Sequence, residues 1–398
     1  MKKNILGGLL TGAVLFAGTA FAGPQMTFGP EDKGVLQLDY KGQFQMTARD
    51  SGSGANNEDS TANFNFRRNR IALMGMYGDM MSLYVQTEFT EEQNITTLGV
   101  TNSSNLKTEF QMLDAVMRFD VDNAFKVNVG KFKYNLSREN LEACEMPLTL
   151  DRSLFIRPAY TTTRDQGVAV WGNLFNDVFQ YRADIMEGRK AVSGDIAPSS
   201  SLRYSLRGHV TLLDPESDYG YKGTYLGKKK VLTFGAAYQF EPEIAYGDML
   251  AKADKKDYTA WTVDAFFEYP LAGAGTVTAS AAYEDVNLDD AYKGANPDPG
   301  TIGLNGQKNG WYVKGGYMLP TVPLQFFGRY EKWQFASLNN IFDQKIDWYG
   351  GGANYFFRDQ NLKLTMEVSR TAFDKEGTVN GLVSKDFTTF ITQLQLIF

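Results

Sequence analysis

The chain ends in "TTFITQLQLIF", residues 388–398, in which Phe390, Leu394, Leu396 and Phe398 share one parity and Gln393 and Gln395 the other. Successive side chains of a strand point to opposite sides, so this pattern is a β-strand with one apolar and one polar face. A disordered polar tail has no use for an aromatic residue at its free carboxyl end. What the apolar face meets is decided by the rest of the chain.

The same rhythm recurs upstream. In "LQLDYKGQFQM" Leu36, Leu38, Tyr40, Phe44 and Met46 oppose Gln37, Asp39, Lys41, Gln43 and Gln45. "SLYVQTEF" sets Leu83, Val85 and Phe89 against Ser82, Gln86 and Glu88. "LRYSLRGHVTL" sets Leu202, Tyr204, Leu206 and Val210 against Arg203, Ser205, Arg207 and His209. "LQFFGRYEKW" and "LKLTMEVS" behave alike, with Phe326 and Tyr330 opposite Arg329 and Glu331, and Met366 and Val368 opposite Lys363 and Glu367. Read throughout, the chain gives about sixteen strands, many long enough to cross a bilayer at a tilt. They lie near 35–48, 63–77, 81–90, 109–120, 124–132, 165–172, 177–187, 201–213, 230–240, 258–269, 276–285, 310–319, 324–334, 345–357, 362–371 and 386–398.

Short turns ("YGD", "DVDNA", "LPTVP", "RDQN") alternate with longer polar stretches such as "DSGSGANNEDST", "TEEQNITTLGVTNSSNLK" and "DVNLDDAYKGANPDPGTIGLNGQKN". Transmembrane barrels have this asymmetry, with tight periplasmic turns and longer outer loops. Residues 214–229 break it: the position calls for a short turn. Aromatic residues crowd strand ends (Tyr238 and Phe240; Tyr355, Phe356 and Phe357; Trp311), as in interfacial girdles. A soluble β-sandwich can hold similar strands, but the even strand count, the loop alternation and the aromatic terminus favour a barrel. The expected fold is all-β: one closed antiparallel transmembrane β-barrel over residues 23–398.

The first residues have a different character. Lys2 and Lys3 precede a small and apolar run closing on Ala20-Phe21-Ala22, which reads as a signal peptide, residues 1–22, removed on export. Without those two lysines the formal charge moves from −6 to −8, unsuited to a nucleic-acid partner. Although the chain is 43% apolar, no run downstream approaches the ~18 residues of a membrane helix. One cysteine, Cys144, cannot form an internal disulfide, and reads as a small loop residue rather than a reactive thiol. One histidine, His209 in mid-strand, leaves little for a metal centre, a heme or acid–base catalysis, so no cofactor and no enzyme are expected.

Several stretches resemble the phosphate-selective porin O/P family of outer-membrane channels. They are "FRRNRIALMG", "LDAVMRF", "FKVNVGKFKYNLSRENL", "RDQGVAVWG", "YRADIMEGR", "VLTFGAAYQFEP", "FFGRYEKW" and "GGANYFFRDQNLKLTMEVSR", in that order across most of residues 64–372. The resemblance implies sixteen strands, a homotrimer in outer-membrane lipid and a third long loop folded inward, here about residues 133–164. Within that loop Ser137 is placed to cap a short helix, and Arg138, Arg152 and Arg157 are its candidate constriction residues. A terminal Phe398 also resembles the signal read by barrel-assembly machinery.

On the polar parity stand Arg68, Arg70, Arg118, Arg182, Arg203, Arg207, Lys314 and Arg329, the candidate pore-lining and solute-binding residues. An arginine fork suits oxyanions by donating two parallel hydrogen bonds. The plainer reading of any one of them is pairing with a lumenal acid such as Asp114, Asp184, Asp264 or Glu331, as intramembrane charges commonly do. The expectation is passive diffusion of small hydrophilic solutes or ions with at most a local anion preference. Two alternatives stay open: a channel specific for an oxyanion or oligosaccharide, with Phe327 and Tyr349 as an aromatic slide, and a non-transport scaffold or adhesin.

Overall fold

The computed structural model describes residues 23–55, 58–91, 95–96, 99–100, 108–153, 160, 162–189, 197–198 and 201–398. The N-terminal stretch read as a signal peptide, residues 1–22, therefore lies outside the described residues.

Sixteen antiparallel strands close into a barrel. They are β1 (Gly34–Ser53), β2 (Asp59–Tyr77), β3 (Met81–Glu91), β4 (Thr108–Asp120), β5 (Lys126–Phe132), β6 (Asp165–Leu174), β7 (Phe179–Met186) and β8 (Arg203–Thr211). The second half comprises β9 (Val231–Asp248), β10 (Ala253–Leu271), β11 (Gly275–Asn287), β12 (Lys308–Met318), β13 (Leu324–Leu338), β14 (Ile341–Arg358), β15 (Leu362–Phe373) and β16 (Phe387–Ile397). Each pairs with the next, and β16 closes the ring on β1, from Lys41↔Ile397 to Arg49↔Thr389. Closure is what makes the design viable in hydrocarbon, where every unpaired backbone group costs several kcal/mol. Below the end of β16, a short strand Gln25–Phe28 pairs with Gly34–Gln37 and covers the remaining edge of β1.

The parity of the sequence becomes the two faces of the wall. Leu38, Phe44, Leu206, Phe326, Val368, Leu394 and Phe398 point outward and are exposed, whereas Asp39, Gln43, Arg207, Arg329, Glu367, Gln393 and Gln395 point inward and are buried. Phe356 is an exception among the expected girdle aromatics: it lies on the inward parity and is buried, unlike its neighbour Phe357.

The strands run further at the outer end than alternation suggests. "DSGSGANNEDST" is mostly strand, since β1 reaches Ser53 and β2 starts at Asp59. Likewise β9 continues to Asp248 across a register shift after Glu241, and only residues 249–252 separate it from β10. Beyond the lipid boundary water meets both faces, so pairing persists while the demand for alternation ends. At the other end the turns are tight, that between β8 and β9 excepted. The Asp122 carboxylate accepts from the backbone N–H groups of Ala124 and Phe125, both at 2.7 Å, and Gly273 turns at φ 70.

Candidate functional site in the barrel lumen

Alternation aims the candidate cations of the wall inward, where most find a carboxylate. Arg70 meets Glu88 at 2.8 Å, Arg203 meets Glu241 at 2.8 Å, and Arg207 makes a two-pronged pair with Asp264 at 2.7 and 2.9 Å. Arg329 pairs with Glu331 and lies 3.6 Å from Glu367. Lys314 pairs with Glu139 and Arg68 with Asp151 (2.9 Å), both acids belonging to the segment after β5. Arg182 is held differently, donating to the Gln180 side chain (2.7 Å) and the Asp218 carbonyl (3.2 Å) against the rings of Tyr219 and Tyr221. Arg118 points at Tyr84, its guanidinium 5.9 Å from the ring centre. Of the four wall acids named as partners, Asp264 and Glu331 take wall arginines. Asp114 takes Arg164 instead (3.0 Å), and Asp184 accepts from the backbone and side chain of Asn135 at 2.9 and 2.8 Å.

Residues 133–153 contact inward side chains around much of the wall. Ser137 caps the one-turn helix Arg138–Leu141, its hydroxyl accepting from the Asn140 N–H at 3.1 Å. The Arg138 guanidinium meets Glu216 through two bonds of 2.7 Å. Arg152 donates to the carbonyls of Glu139 (2.8 Å) and Asn140 (3.0 Å), Glu145 pairs with Lys41 at 2.7 Å, and the Leu150 N–H reaches Glu367 at 3.2 Å. Arg157 lies outside the described residues.

Between this segment and the wall of β1–β4 is a cavity of about 130 Å³. Its charged lining is Lys41, Arg70, Arg118, Lys133 and Arg164 against Asp114 and Glu145. Burial pushes the Lys133 ammonium down to about 7, assisted by Arg152 and Arg164 and opposed by Cys144 and Asp114. Burial pushes the Cys144 thiol up, but Arg152, Lys133, Arg68 and Arg70 outweigh it and hold the thiol well below its usual range. For Glu145 the same contest is won mainly by Lys41, which keeps the carboxylate ionised. Glu142 goes the other way, raised by burial and then by the charge of Glu139.

The profile of the family described as phosphate-selective porin O and P matches residues 38–398. The chain belongs to that family. It is an integral porin of the bacterial outer membrane. An uncharacterized protein of Aquifex aeolicus is 24% identical over 281 residues, which is 65% of this chain and 63% of that relative's length. Among solved structures, an anion-selective porin from Comamonas acidovorans superposes with a TM-score of 0.56 at 10% identity, over 92% of this chain and all of that one. OmpT of Vibrio cholerae in its trimer form gives 0.51 at 13% identity, over 91% and 99% of the two chains. At such identities the likeness is one of fold.

Two lumenal features of this porin escape a parity reading. The ladder between β1 and β2 slips at Gln43/Phe44, skipping Arg67, and this bulge lets Arg67 join Arg68 on Asp151, at 2.6 Å. The only trace of it in "FRRNR" is the doubled arginine. Lys133 and Arg164 reach the cavity from a loop, where no periodicity announces direction. Tyr349 corrects the aromatic slide: it stacks on Tyr330 on the outer face and is 40% exposed, so only Phe327 of that pair faces inward. Its parity follows β14, which places Trp348 inside and therefore Tyr349 outside.

Proposed function

We propose that this porin passes small hydrophilic solutes by passive diffusion with a local preference for anions, along a path between residues 133–153 and the wall of β1–β4. The observation carrying this is the cavity lining, in which Lys41, Arg70, Arg118, Lys133 and Arg164 outnumber Asp114, Glu145 and the acidified Cys144 thiol. A channel selects by the size and charge of its narrowest ring. The chain as a whole is acidic, so the preference is local to that ring. In planar bilayers under a KCl gradient, reversal potentials should report chloride moving more readily than potassium. Strong cation selectivity would overturn the reading.

On this reading residues 133–164 act as the constriction, and the wall arginines tied to carboxylates shape the lumen more than they bind solute. The mature chain starts near Gly23 after export, which N-terminal sequencing of outer-membrane material checks. A homotrimer accords with the trimer form of OmpT from Vibrio cholerae. Chemical cross-linking in native membranes tests it. Transport, with no catalytic step, accounts for the site, and the outward Tyr349 removes the aromatic slide from the oligosaccharide alternative.

A further inference from the structure

The connection from β8 to β9 differs from every other described turn at its end of the barrel. Those turns span only residues 78–80, 121–125, 175–178, 272–274, 319–323 and 359–361. Here the hairpin narrows as expected, with the Asp214 N–H donating to the Lys230 carbonyl at 2.7 Å, and then 215–229 run up into the lumen. Glu216, Tyr219, Tyr221, Thr224 and Tyr225 are all buried there.

The ingrown stretch is joined to residues 141–146 by backbone. The Ala143 N–H donates to the Tyr221 carbonyl at 2.9 Å, the Tyr221 N–H to the Leu141 carbonyl at 3.4 Å, and the Gly223 N–H to the Met146 carbonyl at 2.9 Å. On its far side the N–H groups of Tyr225 and Gly227 converge on the Glu268 carboxylate of β10, each within 3.0 Å. Arg138–Glu216 locks the two inward pieces side to side. Buried pairing on both flanks makes the stretch a fixed partition and not a swinging flap. The side it leaves open is the β1–β4 wall, and there Tyr219 and Gly220 complete the rim of the cavity.

We propose that residues 214–229 form a second, periplasmic-side half of the constriction, with Tyr219 and Gly220 as the edge that limits solute size. The idea rests on the porin reading and deepens it. Charge on the path comes from Lys41, Arg70 and Arg118 of the wall and from Lys133 and Arg164 of the loop, whereas the Tyr219–Gly220 edge carries none. Size limit and charge preference therefore rest on different residues of one opening, and can be changed separately.

Two variants test this in planar bilayers and in liposomes swollen with sugars of graded size. Replacing residues 215–229 by Asn-Gly closes Asp214 and Lys230 with a two-residue hairpin turn. It should raise single-channel conductance roughly twofold or more and admit larger sugars. Gly220→Trp keeps every anchor and should lower conductance by a similar factor, with the anion-to-cation ratio nearly unchanged. Heat-modifiable migration on gels identifies folded barrel in each preparation. Should the deletion fail to assemble, Gly220→Trp decides alone. Folded Gly220→Trp with wild-type conductance and size limit would overturn the proposal. A wild-type barrel that does not conduct would instead refute the porin reading, before any variant is made.

Discussion

Lys133 is the residue on which the charge of the path turns with pH. It sits where the wall ends and the inward loop begins, its ammonium donating to the Glu142 carbonyl. Burial, joined by Arg152 and Arg164, outweighs the opposing Cys144 and Asp114 and pushes it down to about 7. Below that pH Lys133 is a cation on the cavity; above it, the site loses one positive charge. Anion preference measured by reversal potential should therefore be highest near pH 6 and fall by pH 9. Lys133→Arg should hold it high throughout that range, and Lys133→Met should hold it low. A flat profile in the wild type would place the charge control elsewhere. Arg138 illustrates a different use of charge. It is fully buried against Glu216, so Arg138→Met leaves that carboxylate in place without its partner. Removal of one member of a buried pair costs about 3–5 kcal/mol. Urea unfolding in lipid vesicles should show a loss of that order, and an unchanged midpoint would mean water already solvates Glu216.

Strands are the level at which the sequence was most readable. All sixteen follow from parity, because lipid on one side and polar contacts on the other impose the period of two at every position. The two faces differ sharply at β8, where Leu206 is 61% exposed on the outer face and Ser205 is buried on the inner one. Leu206→Arg should cost roughly 2–4 kcal/mol of stability in a bilayer, the midplane penalty for arginine on a lipid face. Ser205→Ala should cost far less, and equal costs would mean the face assignment of β8 is wrong. What parity cannot supply is any break in parity. The bulge at Arg67 is set by the partner strand's register, and it gives Asp151 two guanidinium groups to answer. Asp151→Asn should release both and raise the anion-to-cation permeability ratio, roughly doubling it. The inward loops were legible only as anomalies of length. Residues 214–229 stood out as too long for a turn, but their direction depends on the Glu216, Tyr221 and Glu268 contacts, which join residues far apart in sequence.

At the scale of the whole molecule, Phe398 has an observed place in the closed ring and a proposed part in assembly, and the two can be separated. Phe398 finishes the ring: its carbonyl accepts from the Tyr40 N–H at 2.6 Å, its own N–H donates to the Tyr40 carbonyl at 3.1 Å, and its ring lies 5.3 Å from that of Tyr40. Phe398→Ser keeps the two backbone bonds and removes only the ring contact. An aromatic pair contributes about 0.5–1.5 kcal/mol beyond its buried area, so unfolding from vesicles should register a modest loss. Tyr40→Ala removes the same contact from the other side and should register a similar one. The two variants part company if assembly machinery reads the terminal aromatic, because only Phe398→Ser erases the signal. Yield in the outer membrane should then fall severalfold for Phe398→Ser while Tyr40→Ala stays near wild type. Equal yields for the two would reduce Phe398 to a packing residue, and the closure of β16 on β1 would owe nothing to recognition.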